Sequence, residues 1–187
     1  LWRAETGTFE PAGYMIKDGM TKVNLELGID ESVHVVFRKP AVADGLATIR
    51  QETVSLAKLD GSWTVAFQPN RGASASAVLP SLAPLNEHAE PGIKYFSGEA
   101  TYTKDFTTPR GWKRGQPLWL NLGEVKELAE VSINGKLAGS VWHAPFRLDI
   151  GGVAKAGRNR LSVRVANLWV NRLIGDAQKD AKKITFT

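Results

Sequence analysis

Val131-Ser132-Ile133-Asn134-Gly135-Lys136-Leu137-Ala138-Gly139-Ser140-Val141-Trp142 is the stretch whose reading decides the fold. Val131 and Ile133 lie two apart with a polar residue between them, the period of a half-buried strand. Asn134-Gly135 follows at once, and both residues tolerate the positive φ that a type I′ turn demands, so a hairpin is predicted there. Its return strand runs from Leu137 to Trp142. Outward from this hairpin the same period recurs. Trp63, Val65 and Phe67 share one face of a strand after the turn Leu59-Asp60-Gly61-Ser62, and Ala100, Tyr102 and Phe106 lie in another. Leu118, Leu120 and Leu122, then Phe146, Leu148 and Ile150, then Leu161, Val163 and Val165 complete the series, with Gly151-Gly152 and Gly157 as punctuation. Short strands at such intervals predict an all-β sandwich.

The N-terminal part reads differently. Val23, Leu25 and Leu27 alternate with polar residues as a strand, and Val33 to Phe37 form a second apolar run after the turn-like Gly28-Ile29-Asp30-Glu31. Pro40 stops that run, and Ala41 to Leu46 is small and bland. A boundary is placed in this region, giving terminal strands of a preceding β domain plus linker over 1–45 and a sandwich with a C-terminal tail over 46–187. Residues 69–92, with Pro69, Pro80, Pro84 and Pro91, read as a long surface excursion. Helical signal is thin, confined to one turn at Gly123 to Ala129 and another at Leu85 to Ala89.

Composition narrows the function. The 187 residues hold 43% hydrophobic and 23% charged side chains, ordinary for a globular protein. No apolar run reaches the roughly 18 residues of a membrane span. The absence of cysteine excludes disulfides, thiolate metal sites and cysteine nucleophiles. The net charge of +5 is dispersed, and the clusters Arg110, Lys113, Arg114 and Arg158, Arg160, Arg164 read as solvated faces, so no nucleic-acid partner is expected. The chain opens Leu1-Trp2-Arg3, which suggests either a removed signal or a fragment of a longer protein.

Candidate chemistry is sparse. His34, His88 and His143 have no ligand spacing, no acidic loop has calcium-ligand spacing, and no phosphate loop is present, so no metal or cofactor is expected. Glu124, Glu127 and Glu130 recur at spacing three and read as an exposed helical face, and no pair of carboxylates stands out as a glycosidase dyad. The aromatics are more suggestive. Sugars present flat C–H faces that stack on rings, while their hydroxyls need amide, carboxylate or guanidinium partners. Trp63 and Trp119 are expected to be buried in strand interiors. Trp142, before His143-Ala144-Pro145, and Trp169, in Asn167-Leu168-Trp169-Val170-Asn171-Arg172, leave ligand contact, interdomain contact and core packing all open.

These residues in order resemble a known domain. Leu59-Asp60-Gly61-Ser62-Trp63-Thr64-Val65, Gly98 to Phe106, Leu122-Gly123-Glu124-Val125, Ala129 to Lys136, Trp142 to Ile150 and Gly157-Arg158-Asn159-Arg160-Leu161 resemble the sugar-binding β-sandwich of glycoside hydrolase family two. Tyr95-Phe96-Ser97-Gly98 and Asn167 to Asp176 are similar to the C-terminal region of family 106 α-L-rhamnosidases. The resemblance covers roughly residues 54–178 and implies a galactose-binding-like jelly-roll β-sandwich, with residues 1–40 as the tail of a preceding β domain. It implies that catalysis belongs to an upstream barrel domain of the same polypeptide and that this chain carries no catalytic residues. Trp142, His143, Trp169, Asn171, Arg172 and Asp176 are then carbohydrate-binding or interdomain residues, although Arg172 and Asp176, four apart, also suit a pair that caps its own turn. The implied partners are a rhamnose-containing glycan and the catalytic domain, with no nucleic acid or membrane, in a periplasmic or secreted setting.

Overall fold

The structure, a computed structural model, describes residues 1–4, 6–28, 31–48 and 53–185. It divides into two compact units, Leu1–Ser55 and Leu56–Thr187. Residues 49–52 of the expected linker, and Ile29 and Asp30 of the expected turn, lie outside the described residues.

Among its described residues the first unit carries β1 (Trp2–Arg3), β2 (Tyr14–Lys17), β3 (Met20–Val23), β4 (Val33–His34) and β5 (Gly45–Leu46). β1 pairs with β4, and β2 lies between β3 and β5, all antiparallel. The β2–β3 hairpin turns on Asp18-Gly19, both at positive φ, a signal of the Asn-Gly kind that the sequence reading passed over. The alternation expected to run through Leu25 and Leu27 stops at Val23, and both leucines are exposed. Strand structure in the Val33–Phe37 run is likewise limited to Val33–His34. The Trp2 ring stacks on Phe9 and tilts against His34, at centroid distances of 5.7 and 5.0 Å. No described hydrophobic side chain of this unit is buried, so surface stacking and short ladders hold it.

The second unit is a β-sandwich. It contains β6 (Trp63–Phe67), β7 (Ser76–Leu79), a 3₁₀ turn (Leu85–Glu87), α1 (Pro91–Lys94), β8 (Glu99–Thr107), β9 (Trp119–Asn121), β10 (Leu128–Ile133), β11 (Lys136–Val141), β12 (Arg147–Asp149), β13 (Arg158–Ala166) and α2 (Val170–Asp176). Six strands form one antiparallel sheet in the order β11-β10-β13-β8-β6-β7, and β12 pairs with β9 in a second sheet. Period two places Trp63, Val65, Phe67, Ala100, Tyr102, Ala129, Val131, Ile133, Leu161 and Val163 on one face of the large sheet. Leu118, Leu148 and Ile150, from the small sheet and its ends, cover one part of that face. Ile93 and Phe96, from α1 and the turn after it, cover the part formed by Val65, Phe67 and Ala100. The opposite face is polar: Arg164 bridges Glu99 and Glu130, and Arg158 meets Asp105 at 2.6 Å.

Several expectations need correcting. Trp119 is exposed, because the buried positions around it are Leu118 and Leu148, with Leu120 half-buried, so strand alternation turns its ring outward beneath the Arg147 guanidinium. The proline-rich stretch is not wholly an excursion, since Ser76–Leu79 extends the sheet as β7 beside β6. Gly123 to Ala129 forms no helix. Glu127 N–H donates to Ala166 O, and Glu130 lies in β10, opposite Arg164. Asn134 and Gly135 do turn the β10–β11 hairpin at φ 53° and 78°.

The amide of Asn159 shows what closes the sheet at the hairpin end. It is 1% exposed. Its Oδ1 accepts from Lys155 N–H and Asn134 Nδ2, and its Nδ2 donates to Lys155 O and Gly157 O. Truncation strands several buried backbone groups at once, so Asn159→Ala should lower stability by about 2–3 kcal/mol in urea unfolding without altering the strand content seen by circular dichroism.

Candidate functional site

The site residues gather at the end of the large sheet away from the Asn134-Gly135 turn, and the register shows why. Ala129 stands opposite both Val141 and Val165, Leu128 opposite Ala166, and Ala166 opposite Glu99. Trp142 after β11, Asn167 after β13 and Gly98 before β8 therefore leave the sheet at the same rim. At strand spacings of about 4.8 Å, the backbones of Trp142 and Asn167 are on the order of 10 Å apart.

Asn167 begins the turn into α2 and ties it to the β8 entry. Its Nδ2 donates to Phe96 O at 3.0 Å, and its Oδ1 accepts from Gly98 N–H at 2.8 Å. Ser97, 2% exposed, accepts the Arg172 backbone N–H on its Oγ. The segments Tyr95–Gly98 and Asn167–Asp176, 69 or more residues apart in the chain, are thus one packed assembly.

Within it Arg172 and Asp176 form a buried ion pair one helical turn apart, Nε to Oδ1 at 2.9 Å, with 6% of each side chain exposed. The Nε–H is not aligned on the oxygen, so the contact is electrostatic rather than a formed hydrogen bond. Asp176 receives its hydrogen bonds from the C-terminal segment. Thr185 donates its hydroxyl at 2.6 Å and its N–H at 2.8 Å, and Ile184 N–H reaches both carboxylate oxygens. The Thr185 hydroxyl and amide, then the Ile184 amide and the Arg172 charge, outweigh burial and hold the Asp176 carboxyl down at about 2. Two glycines make room for the guanidinium. A Cβ at Gly175 would fall 2.6 Å from Tyr95 Cβ, and one at Gly72, which sits at φ +92°, would fall 2.7 Å from Arg172 Nη1.

The other predicted residues face outward. Trp142 is 68% exposed, with the His143 ring edge-on at 4.7 Å, and His143 Nδ1 lies 2.7 Å from Ala144 O. Trp169 is 54% exposed and carries the Arg71 guanidinium over its ring at 4.8 Å. Asn171 is half-buried on α2. The structure thus puts Trp169, Asn171, Arg172 and Asp176 on or beside one short helix, and Trp142 with His143 two strands away on the same rim. Sequence reading missed Arg71, Gly72 and Thr185, whose roles come from long-range packing. Ser97 entered only as part of a resemblance, and Asn167 stood in the stretch around Trp169 with no role assigned to it.

The Arg158 guanidinium beside Asp105 holds that carboxyl below the usual carboxylate range, the same direction as at Asp176. No group of three His, Asp or Glu side chains among the described residues is placed to hold a metal ion.

A galactose-binding-like sandwich defines the class, and sequence comparison agrees. Residues 82–184 match the glycosyl hydrolase 2 galactose-binding domain-like family, more than half of the chain, and the chain belongs to that family. It is 53% identical to a solved rhamnosidase from Novosphingobium sp. PP1Y, with a TM-score of 0.92, over 97% of this chain and 17% of that one. A putative beta-glucuronidase from Formosa agariphila is 44% identical over 119 residues, 63% of this chain and 10% of the relative. A beta-glucuronidase from an uncultured Clostridium sp. shares 25% identity at a TM-score of 0.52, over 66% of this chain and 24% of that structure. The chain therefore spans about a tenth of the curated relative and about a sixth of the solved rhamnosidase.

The depressed carboxyl sets a pH dependence with a definite sign. A group lowered from 3.8 to about 2 stabilises the fold fully above its unfolded value and loses that contribution as pH falls through the folded one. The difference in urea midpoint between the native chain and Asp176→Asn should be constant from neutral pH to about 5, then shrink between about 4 and 2.

Proposed function

We propose that this chain is a non-catalytic accessory domain of a larger carbohydrate-cleaving enzyme, its parent an α-L-rhamnosidase of the family 106 type that acts on rhamnose-containing glycans. The observation that carries the proposal is the near-complete match, 53% identical over 97% of the chain, to one segment of a rhamnosidase. The catalytic machinery belongs to another domain of that polypeptide, and the first unit is the tail of a β domain that precedes the sandwich. The lowered, hydrogen-bonded state of Asp176 and the pairing of Asp105, Glu99 and Glu130 with arginines support this division, because each carboxylate is engaged in holding the fold.

On this reading Trp142 is the sugar platform. Its ring is largely open, His143 stands at its edge as a polar partner, and a planar indole offers the C–H stacking surface that a deoxysugar face fits. Arg172 and Asp176 serve structure instead, with their polar atoms turned into the seat of α2.

Two assays test the proposal. Titration of the chain with methyl α-L-rhamnoside should quench or shift Trp142 fluorescence, and Trp142→Ala should abolish the signal; a signal that survives in the alanine variant removes the platform. The chain alone should hydrolyse neither rhamnosides nor glucuronides. Turnover that vanishes when one of its own carboxylates is substituted would refute the non-catalytic assignment.

A further inference from the structure

Helix α2 is built inside out. Arg172, Gly175 and Asp176 are its buried residues, whereas Val170, Leu173 and Ile174 expose 56%, 47% and 49% of their surface. Leu168 and Trp169, just before the helix, add 58% and 54%. A surface helix that ends in water shows the reverse arrangement, with apolar residues inward and charges outward. Contiguous apolar surface of this kind marks an interaction site.

We infer that the outward face of Leu168 to Ile174 is a docking surface for an apolar patch on a neighbouring domain of the same polypeptide. The inference rests on the accessory-domain reading and adds the surface by which the domain is held. The buried Arg172–Asp176 pair, clasped by Thr185 and seated against Gly72, fixes the pose of the helix. With the charged side chains committed inward, its apolar side is presented as one rigid surface. A glycan is the wrong occupant for this face. Arg71 covers one side of the Trp169 ring, and the guanidinium and carboxylate that would meet sugar hydroxyls point inward. A neighbouring domain held by a linker needs only a small interface, since the linker supplies the effective concentration. The matched segment of the solved rhamnosidase is 17% of that chain, which leaves ample polypeptide to supply such a neighbour.

The test compares the 187-residue chain with the longer polypeptide that carries it, using hydrogen exchange and acrylamide quenching. In the longer polypeptide, amide exchange across Val170–Asp176 should be roughly tenfold slower, and Trp169 emission, isolated by subtraction of Trp169→Phe, should be shielded. The double substitution Leu173→Asp with Ile174→Asp, made in the longer polypeptide, should remove both effects. Leu137→Asp, at an exposed leucine on the hairpin end of the sheet, should leave them intact. Equal exchange and quenching in the two proteins would overturn the inference, as would equal effects of the two sets of substitutions. A dimer of the 187-residue chain that dissociates on the double substitution would reassign the face to self-association, and Trp169 shielding by rhamnoside would reassign it to glycan. These readouts involve no turnover, so an inactive parent would count against the proposed function and leave docking to be judged by its own measurements.

Discussion

β13 pairs with β8 from Arg158 to Ala166 and with β10 from Leu161 to Ala166, and this double pairing is the constraint on which the sandwich depends. A slip of one residue would turn Asn159, Leu161 and Val163 out of the core and Arg160 and Arg164 into it. Desolvating two guanidiniums while exposing the central apolar row makes that alternative prohibitive. The same register places the Asn159 closure at one end of the strand and the Asn167 staple at the other. Whatever fixes the middle of β13 therefore also fixes where α2 begins.

The strands were legible wherever burial falls on one face. Trp63-Val65-Phe67, Ala100-Tyr102, Val131-Ile133 and Leu161-Val163 announce themselves by period two, and Asn134-Gly135 by its turn chemistry. β7 was not legible, because Ser76-Ala77-Val78-Leu79 carries a weak alternation inside a proline-rich stretch and becomes a strand only by pairing with β6. Trp119 misled through its size: a tryptophan between leucines reads as core until the phase is counted from Leu118. α2 was hidden by its own inversion. Apolar residues at 168, 169, 170, 173 and 174 suit neither a half-buried strand nor a helix that faces a core.

The site was legible as spacing and illegible as environment. Arg172 and Asp176, four apart, could be read as a self-capping pair, yet nothing local shows that Ser97, Gly72 and Thr185 complete their surroundings. The net charge of +5 carried no functional message of its own. Arg158 and Arg164 are matched by Asp105, Glu99 and Glu130 across adjacent strands, so this part of the basic excess is offset locally rather than gathered into a patch.

The interior of the second unit is split, with Trp63 in one cluster and Val65 and Phe67 in the other, while Tyr102 packs against both. β6 and β8 are common girders to the two halves. Loosening either half unpairs strands the other needs, so the halves are expected to melt cooperatively as one thermodynamic unit. A helix anchored on such a platform is held as firmly as the paired strands beneath it, so its orientation is set by the whole sandwich rather than by its own seven residues.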